Sequence, residues 1–136
     1  MTGVADRVQS PRVVRSADGR AAVWVGVVDD LWELGRPRGT GGPWLETLVS
    51  PGIPSDPYLM TGYERKTLAL RHDRPGSVAI DAQIDVSGDG LWHTYRRFDV
   101  PPGEGLTYRF PDAFAAYWIR FAATTECRAT ALLTYE

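Results

Sequence analysis

The sequence predicts an all-β fold: an antiparallel β-sandwich of jelly-roll-like type, preceded by a hairpin and a long Gly/Pro-rich loop. Three observations carry this reading. From Val78 to Tyr135 the segments VAIDAQIDV, LWHTYRRFDV, LTYRF, FAAYWIRFAA and CRATALLTYE alternate with a period near two, the pattern of strands buried on one face. Their joints, SGDG, PPGEG, PDA and TTE, consist of residues that turns need. A hydrophobic fraction of 43%, with five Trp, six Tyr and four Phe among 136 residues, supports one packed domain that needs no disulfide staples.

Taken in order, residues 1–10 are polar, and RVVR, SADGR and AAVWVGVV then predict a hairpin. Asp18-Gly19 supplies the positive-φ turn that such connections favour. A lone hairpin is marginal in water, so residues 1–28 read as a frayed terminus and a hairpin that does not stand by itself. Pro37, Pro43, Pro51, Pro54 and Pro57 follow within thirty residues and forbid a long helix or a central strand. Residues 29–65 therefore read as a long ordered loop, held down by Trp32, Trp44 and Tyr58.

Residues 66–136 read as the sandwich core. Leu68, Leu70 and His72 share one face, and Val78, Ile80, Ala82, Ile84 and Val86 point inward, with Asp81, Gln83 and Asp85 outward. In LWHTYRRFDV, Trp92, Phe98 and Val100 share a parity, and Leu91, His93, Tyr95 and Arg97 take the other. Leu106, Tyr108 and Phe110, then Tyr117, Ile119 and Phe121, extend the apolar set. On the last strand Cys127, Ala129, Ala131, Leu133 and Tyr135 face inward. The single cysteine excludes an intrachain disulfide and reads as a small core hydrophobe.

Net charge is −2, without a run of like charges, so neither nucleic acid nor an anionic membrane surface is an expected partner. Lys66 is the only lysine beside fourteen arginines, a bias of coding composition rather than a phosphate-reading surface. No eighteen apolar residues run consecutively. The N-terminal residues lack the apolar core of an export signal.

The motifs offer little chemistry. Asp85-Val86-Ser87-Gly88-Asp89-Gly90 starts like a calcium loop, but Arg96 occupies the twelfth position, where a bidentate Glu belongs. A hairpin turn accounts for it. His72 and His93, with Asp29, Asp30, Asp56 and Asp73, share no catalytic spacing, and GTGGPW lacks the Lys-Ser/Thr of a phosphate loop. The sequence thus calls for no catalytic residue, no metal and no cofactor. Five tryptophans exceed what a core of this size needs, and exposed aromatics can serve as stacking platforms. The candidate binding residues are Trp32, Trp44, Asp56, Tyr58, Trp92 and His93. Arg120 is expected to pair with Asp81 or Asp85, or to lie over Trp118.

Asp29-Asp30-Leu31-Trp32, Gly42-Pro43-Trp44, Ser55-Asp56-Pro57-Tyr58-Leu59-Met60, Arg65-Lys66, Gly90-Leu91-Trp92, Phe110-Pro111 and Tyr117-Trp118-Ile119-Arg120 carry a resemblance. From Asp29 onward the chain resembles the C-terminal β-sandwich part of uncharacterised, secreted bacterial proteins, some of them propeller-bearing. The resemblance implies an extracellular setting and a larger parent chain, in which residues 1–28 would be the end of a preceding propeller-like body, and it brings no activity. The expected function is a non-catalytic accessory or interaction module whose partner is a glycan or the rest of a larger chain. The alternatives are a fragment of an enzyme completed by a missing body, and a structural domain sealing a neighbour's sheet edge.

Overall fold

The computed structural model describes residues 13–26 and 38–136, which fall into two units divided between Arg36 and Pro37. Among the described residues there are ten strands, all paired antiparallel, and no helix.

The first unit contains the expected hairpin, β1 (Val13–Arg15) and β2 (Ala22–Trp24). Gly19 sits at φ +68°, and Ser16 closes the turn: its N–H donates to the Ala21 carbonyl and its Oγ accepts from Ala21 N.

The second unit is a β-sandwich. Its strands are β3 (Gly39–Val49), β4 (Tyr58–Leu59), β5 (Lys66–His72), β6 (Val78–Asp85), β7 (His93–Val100), β8 (Leu106–Arg109), β9 (Trp118–Ala123) and β10 (Cys127–Tyr135). One sheet has the order β3-β10-β5-β8 and the other β4-β9-β6-β7. Alternation explains the interior: Leu68 and Leu70 of β5 and Ala131 and Leu133 of β10 meet Ile80, Ile119 and Phe121 of the opposite sheet, all buried. Each such Leu, Ile or Phe side chain removed from water stabilises the fold by roughly 1.5–3 kcal/mol before entropy is counted.

The segment expected to be a loop instead contributes an eleven-residue edge strand, β3. Two bulges hide its period, because its pairing with β10 slips between Ala129 and Ala131 and again between Ala131 and Leu133. Pro43 is tolerated because β3 lies at the sheet edge. Gly42 is required by contact rather than by flexibility, since a Cβ there would lie 1.8 Å from the Ala131 carbonyl oxygen. At the bulge opposite Ala129–Ala131 Glu46 adopts φ +49°, held by a hydrogen bond from its N–H to Thr130 Oγ1 and by Arg128 donating to its carbonyl. Trp44, between the bulges, enters the core at 4% exposure with its ring centroid 6.1 Å from that of Phe121 across the sandwich. The sandwich therefore starts at Gly39 rather than at Lys66.

Three expected parities also change. Val86 lies beyond the end of β6 and is exposed, whereas Asp85 is buried. Tyr117 precedes β9 and is exposed. In β7 Arg96 pairs with Ala82 and Thr94 with Gln83, leaving Tyr95 as the extra residue of a bulge. That slip turns Tyr95 toward the interior beside Phe110 and Phe114.

Polar groups tie the two sheets together. His72 Nδ1 accepts from Arg74 N while Nε2 donates to the Val100 carbonyl, which selects the neutral ring. Lys66, buried, donates from Nζ to the carbonyls of Tyr63 and Phe114, and desolvation pulls its pKa below the usual lysine value. Tyr135 donates to the Leu59 carbonyl and stacks on Tyr63 at 4.2 Å.

Trp44→Ala should destabilise the sandwich by about 3–5 kcal/mol in equilibrium denaturation, the range for deleting a buried aromatic; a near-neutral change would remove Trp44 from the core. Alkaline pH provides a second check. Burial, then the Tyr108 hydroxyl, pushes the Tyr95 phenol up to about 12, and burial raises Tyr135 as well. Raised phenol values favour the neutral form in the folded state, so this stability is fully present below pH ~10 and is lost as pH rises through the folded values. The denaturation midpoint should fall between about pH 10 and 12, and Tyr95→Phe should flatten that fall.

Candidate functional site

The outer face of the β4-β9-β6-β7 sheet is where fixed polar groups stand beside half-buried aromatics. Two adjacent rungs of the ladder define it. On one, Asp81 of β6 lies between Ala122 of β9 and Arg97 of β7. Arg97 donates from Nε and Nη2 to the two Asp81 oxygens at 2.7 and 2.8 Å, a fork-to-fork pair. That bond is the main reason the Asp81 carboxyl titrates below its ordinary value. On the other rung Gln83 lies between Arg120 and Thr94. Here the partner is neutral: Arg120 Nε donates to Gln83 Oε1 at 2.7 Å. The Arg120 guanidinium also lies 4.2 Å from the centroid of the Trp92 ring, within cation–π range.

Trp92 reaches this position through the loop between β6 and β7, and Asp85 shapes that loop. The Asp85 carboxylate, 2% exposed, accepts from Gly88 N at 2.7 Å and Gly90 N at 2.9 Å, while its carbonyl accepts from Tyr117 N at 2.9 Å. Gly88 has φ +76° and faces the Tyr117 ring, which a Cβ would crowd at 3.3 Å. Asp89 accepts from Leu91 N and from Ser87 Oγ, and these bonds hold its carboxyl below the usual range. The carboxylates that begin like a calcium loop thus serve the loop's own N–H and hydroxyl groups. Among the described residues no group of three or more His, Cys, Asp or Glu is placed to hold a metal ion. Val86, Leu91 and Tyr117 stay exposed, and half-buried Trp118 precedes Arg120 by two residues on the same outward parity.

The structure separates most of the sequence-selected residues. Trp44 is a core residue, and Trp32 lies outside the described residues. Tyr58 is half-buried and stacks on Tyr135 at 6.3 Å, and Asp56 is exposed just before β4. His93 is exposed at the start of β7 opposite Ile84. Trp92 alone enters the cluster, with its ring against Arg120. Arg120 takes neither Asp81, Asp85 nor Trp118 as partner but Gln83 and Trp92. Sequence reasoning passed over Gln83 and left Trp118 among surplus tryptophans; their outward parity was legible, but the register that sets Gln83 opposite Arg120 was not.

The other sheet carries a shallow cavity of about 130 Å³ lined by Arg65, Thr67, Arg109, Thr134 and Glu136. Its cations already face acids, Arg109 to Asp112 at 2.9 Å and Arg65 to Glu136 at 3.9 Å. In comparisons with known proteins, no family model matches the chain and no curated protein matches it significantly.

Removing both Asp85 acceptors strands two N–H groups beside a buried position, so Asp85→Ala should cost about 3 kcal/mol or more in urea denaturation. Asp85→Asn, which keeps one acceptor, should cost less. Equal losses would mean that the second hydrogen bond contributes nothing.

Proposed function

We propose that the sandwich is a non-catalytic accessory module that binds a saccharide on the outer face of the β4-β9-β6-β7 sheet. The observation that supports this is the Arg120 side chain, laid on the Trp92 ring and held by Gln83. Pre-ordered planar polar groups beside aromatic surface suit a ligand with both hydroxyl edges and apolar ring faces, because little side-chain entropy remains to be lost on binding. Half-buried Trp118 and exposed Leu91 and Tyr117, next in sequence to Trp92 and Trp118, add apolar surface.

The strand order, β3-β10-β5-β8 over β4-β9-β6-β7, supports reading the sandwich as a jelly roll, an architecture shared by lectin domains. That likeness concerns scaffold and not chemistry. The sequence resemblance supports a place on a larger, secreted bacterial protein. A second reading, a domain that seals a neighbour's sheet edge, is favoured by Leu45 and Leu48, which are 73% and 65% exposed on edge strand β3. Pro43 and the two bulges weigh against direct strand addition there.

A glycan microarray probed with the intact chain tests the proposal. Binding should be weakened about tenfold or more by Trp92→Ala and by Trp118→Ala, with both variants retaining the cooperative unfolding of the parent. An array without hits, or hits indifferent to both substitutions, would remove this face as a saccharide site.

A further inference from the structure

Resting on that saccharide reading, we infer that the site selects an acidic sugar, with Arg120 receiving a ligand carboxylate. The argument comes from two neighbouring rungs of one sheet face. Where Arg97 stands, the chain itself supplies the counter-ion, and Asp81 occupies the guanidinium fork. One step along β6 the equivalent outward position is Gln83, which accepts from Arg120 Nε but brings no charge. Elsewhere Arg128 spends a donor on the Glu46 carbonyl, and three arginines face an acid of the chain, Arg97 among them. Arg109 has Asp112 and Arg65 has Glu136, and Arg96 lies over Phe98 and Tyr108 at the edge between the sheets.

Arg120 is half-buried, so its charge is partly desolvated. Indole covers one face of the guanidinium and Gln83 consumes Nε. The two Nη groups, bonded to no residue among the described residues, remain as a parallel pair of donors whose plane is fixed by the stack. A carboxylate matches that pair bidentately, and a neutral hydroxyl does not. Uronic-acid polymers are saccharides that carry such a group, with an apolar ring face beside the carboxylate. The neighbouring Trp118 and Leu91 suit that ring, whereas an acidic peptide would use the charge alone.

The test is isothermal titration of the intact chain with polygalacturonate, alginate and hyaluronan, with each polymer after carboxyl reduction to its neutral alcohol, and with polyglutamate. At least one polyuronate should bind, its reduced form at least tenfold more weakly, and polyglutamate at least tenfold more weakly too. Arg120→Lys keeps the charge but loses the fork, and should weaken binding about tenfold. Gln83→Glu should abolish polyuronate binding with no fall in melting temperature, because the introduced carboxylate neutralises the guanidinium and, as Asp81 does with Arg97, takes one Nη together with Nε. Arg109→Gln, on the other sheet, should leave binding unchanged. Equal binding of a polymer and its reduced form would overturn acid selection while leaving the saccharide reading intact. Polyglutamate binding as tight as any polyuronate would overturn the saccharide part, and no binding by any polymer, charged or reduced, would overturn both. Full binding by a folded Gln83→Glu variant would show that Arg120 does not hold the ligand.

Discussion

A single buried carboxylate connects the folded core to the exposed face. Asp85 closes β6 with both oxygens accepting backbone N–H groups of the following loop, and its carbonyl receives the N–H of Tyr117 just before β9. Buried donors and acceptors left without partners are costly, so the chain has few other conformations for residues 86–92 once β6 and β9 are paired. That loop delivers Trp92 over the guanidinium of a residue on β9. The stack that defines the site is thus a consequence of a cap inside the sandwich, and the aromatic ring needs no flexible loop to carry it.

The same economy appears at the edge formed by β3. A strand with two bulges, a proline and a left-handed glutamate has a poor ladder of its own, and it keeps its place because Trp44 is driven into the core against Phe121. Irregular backbone is stable where one large apolar side chain is removed from water. The irregularity also blunts the edge against strand addition. On the opposite flank the gap between β7 and β8 is filled by Tyr95, Tyr108, Phe98 and Phe110, with Arg96 laid over two of these rings. The sandwich therefore closes both open sides with aromatic side chains.

Much of this fold is legible in the residues themselves. The interior of β5, β6, β9 and β10 follows directly from alternation, since Leu68, Ile80, Phe121 and Ala131 all sit where their parity puts them. The failures share a cause. Gly39–Val49 does not read as a strand because two extra residues break its period, and Gly41 and Gly42, which look like loop signals, answer a close approach by Tyr58 and β10. Asp85 reads as solvent-facing because strand parity does not anticipate a carboxylate that turns to cap the next loop. The site was less visible than the fold. Gln83 and Trp92 are near in the chain, but Arg120 is on a distant strand, and the β6-to-β9 register together with the Asp85-capped loop brings the three together. Long-range register depends on which faces become buried together, which local pattern does not specify.

The coupling of Asp85 to the Arg120–Trp92 stack is open to direct measurement by proton–nitrogen correlation spectroscopy of the arginine Nε–H groups in the intact chain. With Arg120 Nε–H bonded to Gln83 and lying over an indole ring, its resonance should be shifted by the ring current and exchange slowly with water, as should that of Arg97 through its bond to Asp81. In a folded Asp85→Asn variant the Arg120 resonance should move toward the free-arginine position and exchange faster, while the Arg97 resonance stays in place. If the Arg120 signal keeps its shift and protection after Asp85 is replaced, the buried cap does not position the stack, and the dependence of the site on the core is contradicted.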